Sequence, residues 1–182
     1  EFREVSEAVY VWTPVLTAER CAGSWKQWKY WDIASVYEKE KNTFTGSFGE
    51  AKEQLKKRLS ASVERRMIAD VPLGTFLSGG YDSSLISAMA QEKSEKPVKT
   101  FSIGFEEKEY NEAVYAKEVA EYLGTDHTEL YITPKEMLQM IEGITTYYDE
   151  PFADSSQIPS MLVSGLAKEK VTVALSGDGG DE

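Results

Sequence analysis

Residues 71–84 decide the fold, and they read Val-Pro-Leu-Gly-Thr-Phe-Leu-Ser-Gly-Gly-Tyr-Asp-Ser-Ser. An apolar, strand-like run precedes the two glycines, and a helix-like run follows at residues 85–91. A strand that turns through glycines into a helix leaves free backbone N–H groups at the helix N-terminus. These groups and the helix dipole both favour an anion. The stretch therefore predicts a phosphate-binding loop at residues 78–84.

Asp82 indicates which kind of phosphate ligand this loop takes. A carboxylate within a phosphate cradle repels the ligand unless a divalent cation lies between them. Ser78, Ser83 and Ser84 add hydroxyl donors. The loop thus favours a magnesium-complexed polyphosphate, although an ordinary glycine turn capped by serine and aspartate is the alternative. It is neither a Walker loop nor a dinucleotide fingerprint.

Composition narrows the class of protein. The 182 residues suffice for one domain with a core, and 31 acidic against 20 basic residues give a net charge of −11. This balance argues against binding nucleic acid, which needs a basic face. The single cysteine, Cys21, excludes an intramolecular disulfide, and we expect its thiol to be unreactive. No membrane-length apolar stretch or signal peptide is visible, so we expect a cytoplasmic protein without a membrane partner.

Downstream of residue 49 the pattern alternates between strand and helix. Such alternation predicts an α/β fold with a parallel sheet and helices on both faces. The segment 1–48 has no clean periodicity and holds all four tryptophans, which we interpret as packing residues of a linker or remnant. The expected strands are 74–77, 99–104, 127–132 and 171–175, and the expected helices are 50–68, 83–91, 111–123, 135–147 and 156–168.

Three glycine-containing strand ends should converge, because ligands of open α/β sheets bind outside the carboxyl ends of the strands. These ends are residues 78–80, 103–105 and 176–181. The last carries acidic residues among glycines, which could bind a cation or a cationic amine. A solvated acidic turn is the alternative, whereas the spacing excludes an EF-hand.

Two further features have competing interpretations. The loop 149–156 suits recognition of a second substrate, or equally a proline-broken helix end followed by a cap for the next helix. His127 is the only histidine. Since it has no serine or cysteine partner in the pattern, we interpret it as structural.

Four segments together resemble the synthetase domain of glutamine-hydrolysing asparagine synthetases, a family within the ATP-pyrophosphatase (PP-loop) superfamily. They are residues 77–84, 100–105, 148–154 and 175–182, in matching order and spacing, and the similarity covers residues 50–182. Residues 29–32, Lys-Tyr-Trp-Asp, resemble the segment that leads into this domain. The resemblance implies an adenine nucleotide alpha hydrolase-like fold for residues 49–182, truncated at the C-terminal end.

The resemblance also implies an activity. Family members amidate L-aspartate to L-asparagine through β-aspartyl-AMP, using ATP and Mg²⁺ and releasing AMP and pyrophosphate, with ammonia from glutamine. The resemblance implies that the phosphates are bound by Ser78, Gly79, Gly80, Ser83 and Ser84, and that Mg²⁺ is bound by Asp82 and Asp181. It implies backbone contacts to adenosine from Leu77, Ile103, Ser176 and Gly177. It also implies that Asp178 assists the attack of ammonia or positions the substrate.

The chain departs from the family pattern at several points. Tyr81 stands where relatives usually carry an aliphatic residue, and Asp178 where many carry glutamate. The glutaminase domain, an expected partner in the full-length chain, and the later part of the synthetase domain are not in this sequence. We therefore expect this chain alone to be inactive. The sequence is compatible with a homodimer. Alternatives are a related amidotransferase or β-lactam synthetase-like enzyme acting on another carboxylate, and a non-catalytic nucleotide-binding module.

Overall fold

The computed structural model describes residues 15–21, 24–40, 44–105, 111–150 and 154–178. The chain divides into two compact units, residues 1–55 and residues 56–182. Among the described residues, no helix combines the length and apolarity needed to cross a membrane.

The first unit contains a β-hairpin that the sequence analysis did not predict. Strands β1 (Val15–Cys21) and β2 (Ser24–Trp31) pair antiparallel. Helix α1 (Ile33–Glu40) follows. Asp32 precedes it and accepts a hydrogen bond from the Ser35 backbone N–H at 2.9 Å, which caps the helix N-terminus. The tryptophan side chains are not among the described ones, so their predicted packing role stays a prediction.

The second unit is built on a four-stranded parallel sheet in the order β5-β4-β3-β6. Helix α2 begins in the first unit and ends in the second, before the sheet, and the later helices connect the strands. The strands are β3 (Leu73–Phe76), β4 (Lys99–Phe105), β5 (Asp126–Ile132) and β6 (Val173–Leu175). The helices are α2 (Phe48–Arg66), α3 (Tyr81–Lys93), α4 (Ala113–Leu123), α5 (Pro134–Ile141), α6 (Ile144–Tyr147) and α7 (Gln157–Lys168).

The register of β3 and β4 separates the two faces of this sheet. Thr75 lies opposite Thr100 and Phe76 lies opposite Phe101, and successive residues of a strand point to opposite faces. Phe76 and Phe101 pack with α7 in one apolar cluster. On the other face, Thr75 hydrogen-bonds Ser87 of α3 at 2.8 Å, and α3 contacts α4. The predicted α/β fold, a parallel sheet with helices on both faces, is confirmed.

The single helix predicted over residues 135–147 is wrong, because α5 and α6 are separate. The break lies at Glu142 and Gly143, where Gly143 N–H bonds back to Met140 O at 3.0 Å. Glycine in a helix interior is unfavourable by roughly 1 kcal/mol relative to alanine, which weakens a continuous helix here. The start of α5 is as predicted, with Pro134 at its first position and a capping box between Thr133 and Glu136.

Candidate functional site

A cavity of about 850 Å³ lies at the carboxyl ends of the central strands. Strands β4 and β5 lie on one side of β3, and β6 lies on its other side. The direction in which successive strands are added therefore reverses between β3 and β6, and this is the topological switch point. Ligands of open α/β sheets bind at this point. The cavity volume falls within the roughly 300–1,000 Å³ of small-molecule sites. The predicted site residues that line the cavity are Leu77, Ser78, Gly80, Asp82, Ser83, Ile103, Ser176, Gly177 and Asp178.

The loop between β3 and α3 is held by its own serines. The backbone N–H of Ser78 donates to Ser83 Oγ at 3.1 Å, and the two serine hydroxyls lie 2.9 Å apart. The Ser84 N–H donates to Gly80 O at 3.1 Å. This is the first hydrogen bond of the helix. The backbone N–H groups of residues 81–83, which precede it in the chain, have no carbonyl acceptor within the helix. The loop therefore presents donors and a helix dipole that favour an anion.

Gly79 positions this loop against α4. Its φ is +86°, the left-handed region that glycine adopts without strain. A Cβ at this position would lie 2.7 Å from Ala116 N and 2.8 Å from Tyr115 Cβ. Gly79 is not in the cavity wall, so its observed contact is with α4, and a phosphate contact remains a prediction.

Gly177 brings the end of β6 onto the start of α3. A Cβ at this position would lie 2.8 Å from Ser83 N and 2.9 Å from the Asp82 carbonyl carbon. The neighbouring Ser176 hydroxyl donates to Asp178 Oδ2 at 3.0 Å. Two motifs almost 100 residues apart in sequence therefore meet, as the sequence analysis expected.

The described residues fit a polyphosphate with magnesium. Ser84 Oγ is buried without a hydrogen-bond partner within the described part of the chain, but Ser84 is not in the cavity wall, so its contact with phosphate remains a prediction. Asp82 supplies a carboxylate to the cavity wall. No three metal-ligating side chains cluster among the described residues. Magnesium usually takes one or two carboxylates and completes its shell with phosphate and water oxygens. The second predicted ligand, Asp181, lies outside the described residues.

The cavity also has walls that the sequence analysis missed. An apolar wall comes from the face of the sheet that packs on α7, and further residues come from the N-termini of α4 and α7. Strand periodicity could have indicated the aromatic residues beside Ile103, but no sequence signal placed α7 here. Tyr81 is 97% exposed at the start of α3. The lining residues that were not among the predicted site residues are Phe76, Tyr81, Phe101, Ser102, Phe105, Glu112, Pro159, Ser160, Val163 and Ala174.

The loop before α7 shows a local hydrogen-bonding role. Asp154 Oδ1 accepts from the Ser156 N–H at 2.8 Å and from the Ser156 hydroxyl at 2.7 Å. These bonds, that of the backbone N–H first, hold the pKa of Asp154 below its ordinary value. These bonds form a turn before α7, whose N-cap residue Ser156 makes no side-chain capping bond, so the predicted side-chain cap is not found; residues 151–153 lie outside the described part. Recognition of a second substrate by this loop stays a prediction.

The fold and its loop define a parallel α/β domain with a ligand-sized cavity at the topological switch point. The family model for asparagine synthase matches residues 54–182. The chain belongs to the asparagine synthase family. The resemblance in four sequence segments is thereby confirmed.

Individual relatives agree with this assignment. The chain is 40% identical over 161 residues to "Putative asparagine synthetase (glutamine-hydrolyzing) 2" of Methanocaldococcus jannaschii, covering 86% of this chain and 29% of that protein. It is 46% identical over 121 residues to asparagine synthetase (glutamine-hydrolyzing) 1 of Bacillus subtilis, covering 66% and 19%. The chain thus spans less than a third of these relatives. An NMN synthetase structure from Francisella tularensis aligns at 19% identity with a TM-score of 0.45, covering 71% of this chain and 53% of that one.

Proposed function

We propose that the protein containing this chain is a ligase that amidates L-aspartate to L-asparagine with ATP. The observation that carries the proposal is the meeting of two motifs at the switch point, where Gly177 packs on the first turn of α3 beside Asp82. This meeting supports a site that binds both ends of a nucleotide. Membership of the asparagine synthase family supports the choice of reaction.

In this proposal the phosphate loop binds the triphosphate. Ser78, Gly80 and Ser83 line the cavity, and the free N–H groups at the start of α3 are aimed at negative charge. Gly79 and Ser84 complete the proposed cradle. The backbones of Leu77, Ile103, Ser176 and Gly177 contact adenosine. Asp82 and Asp181 would hold Mg²⁺, which when bound neutralises charge on the departing pyrophosphate.

The proposed chemistry has two steps. An oxygen of the substrate carboxylate attacks the α-phosphorus, and the bond between the α-phosphorus and the oxygen that bridges to the β-phosphate breaks. The products of this step are β-aspartyl-AMP and pyrophosphate. Ammonia then attacks the activated carbonyl carbon, the bond to the AMP oxygen breaks, and asparagine and AMP separate. Asp178 is proposed to accept a proton from the attacking amine or to position the substrate. The site contributes mainly positioning and charge stabilisation.

The source of ammonia is proposed by comparison with the relatives, which are named as glutamine-hydrolysing enzymes. A glutaminase domain of the same protein would supply it. Because the chain spans less than a third of these relatives, we propose that it binds ATP but does not form asparagine alone. A cytoplasmic location fits these soluble substrates.

Product analysis with the complete protein tests the proposal. The protein is incubated with aspartate, glutamine, Mg²⁺ and ATP labelled at the α-phosphate. We expect AMP, pyrophosphate and asparagine in equal amounts, with ammonium able to replace glutamine. ADP and phosphate as products would contradict the proposed bond cleavage. ATP binding without any turnover would favour the non-catalytic module, and consumption of a different carboxylate would favour the related amidotransferases.

A further inference from the structure

A polar network runs through the layer between the sheet and α4. Thr100 and Ser102 are buried on β4, and His127 lies beside them on β5. His127 Nδ1 is 2.8 Å from Thr100 Oγ1, and its Nε2 is 3.2 Å from Ser102 Oγ. Thr125 Oγ1 lies 2.9 Å from Thr100 Oγ1 at the inner end of the network. The only histidine thus binds two neighbouring hydroxyls of one strand.

The network continues along β5. Glu129 Oε1 lies 3.7 Å from His127 Nε2. The Glu129 carboxylate raises the pKa of the Tyr131 hydroxyl. At the start of α4, the Ala113 N–H donates to Asn111 Oδ1 at 3.3 Å. A Cβ on Gly104 would lie 3.0 Å from Ala113 Cβ, so the end of β4 packs closely on the start of α4.

These contacts lie on both sides of Ile103. His127 holds Ser102, the residue before it. Tyr131 lies against Gly104, the residue after it, so closely that a Cβ on Gly104 would come within 2.5 Å of Tyr131 Cε1. Ile103 itself lines the cavity, and its backbone is the proposed contact for adenosine. The backbone of Ile103 can hydrogen-bond the base of a nucleotide only if that backbone is held in place. The contacts of Ser102 and Gly104, on either side of Ile103, therefore determine how it would meet the base.

We propose that Tyr131 and His127 are positioning residues that fix the backbone of Ile103 for the base of ATP, an inference that rests on the proposed nucleotide-binding function. Neither residue lines the cavity in the described part of the chain. They act through Gly104 and Ser102. Their contribution therefore belongs to the nucleoside half of the ligand, while the phosphate loop binds the other half.

A comparison of two ligands separates this role from general stability. Mg·ATP and Mg·tripolyphosphate are titrated by calorimetry into the chain and into Tyr131→Ala, which removes the ring that lies against Gly104. We expect about tenfold weaker binding of ATP and less than twofold change for tripolyphosphate. Tyr122→Ala is the matched control, because Tyr122 is 89% exposed on α4, and it should change neither affinity.

A second variant guards against a folding failure of the first. His127→Asn should lower the ratio of ATP affinity to tripolyphosphate affinity in the same direction, with the folded fraction checked by thermal unfolding. An unchanged ratio in both variants, while the wild-type chain binds ATP, would overturn the positioning role alone. Equal loss of both ligands would also overturn it, because that indicates a merely structural network. Failure of the wild-type chain to bind either ligand would instead refute the proposal that this chain binds ATP, and this inference with it.

Discussion

Substituting alanine for Gly177 should separate the two halves of the candidate site. The new Cβ would lie 2.8 Å from Ser83 N, where ordinary contact begins at 3.4 Å, so the two backbones must move apart by about 0.6 Å. Backbone atoms cannot rotate away as a side chain does. Overpacking of this kind typically costs about 1–3 kcal/mol. If this cost destabilises the ATP-bound state, the affinity for Mg·ATP falls roughly 5- to 150-fold, since about 1.4 kcal/mol corresponds to a factor of ten.

The assay is calorimetric titration of Mg·ATP with Gly165→Ala as the matched control. A Cβ on Gly165 in α7 meets nothing within 4 Å. This control should therefore stabilise the chain by about 0.5–1 kcal/mol through helix propensity and leave ATP affinity unchanged. Wild-type affinity in Gly177→Ala would refute the claim that contact between the end of β6 and the start of α3 builds the site.

Two further predictions concern stability. Ser87→Ala leaves the hydroxyl of Thr75, which is 0% exposed, without its partner, so we expect a loss of about 1–3 kcal/mol in urea unfolding. Adding Thr75→Val should recover most of this loss, and an additive further loss would contradict the pairing. For His127, burial lowers the pKa, Lys117 also lowers it and Glu129 opposes both. The unfolded chain then binds the proton first, so stability should be full above about pH 6.5 and fall as the pH decreases toward the folded pKa. His127→Asn should lack this component, and an identical pH dependence in the variant would show that another group causes it.

The sequence predicted the second unit well because its signals are local and agree with one another. Glycine pairs, the Thr133 cap and the apolar runs each mark the start or the end of a helix or strand. Every strand of the sheet was therefore predicted to within two residues at either end. The break at Gly143 was missed because the apolar pattern continues across it. The hairpin β1–β2 was missed because its residues do not alternate regularly between apolar and polar.

The cavity walls were predictable where sequence motifs form them and unpredictable where packing forms them, and the binding roles of the predicted residues stay predictions. The serines, glycines and Asp82 could be chosen because their residue types suit phosphate and metal. The approach of Ser160 and Val163 depends on how α7 crosses the sheet, which no short pattern encodes. The expectation that His127 has no serine partner was wrong, because its Nε2 lies 3.2 Å from Ser102 Oγ, and the structural role of His127 stays a prediction. Its hydrogen bonds to Thr100 and Ser102 depend on the register of β4 against β5, which became visible only in three dimensions.

The most direct test of the proposed magnesium-dependent phosphate site is ATP titration with and without free Mg²⁺. Asp82→Asn removes the proposed ligand charge, and Asp126→Asn makes the same change at the amino end of β5, away from the cavity. We predict that Mg²⁺ strengthens ATP binding at least tenfold in the wild-type chain and in Asp126→Asn, and that this gain disappears in Asp82→Asn. An equal gain from Mg²⁺ in all three proteins, or no gain in the wild-type chain, would contradict the account.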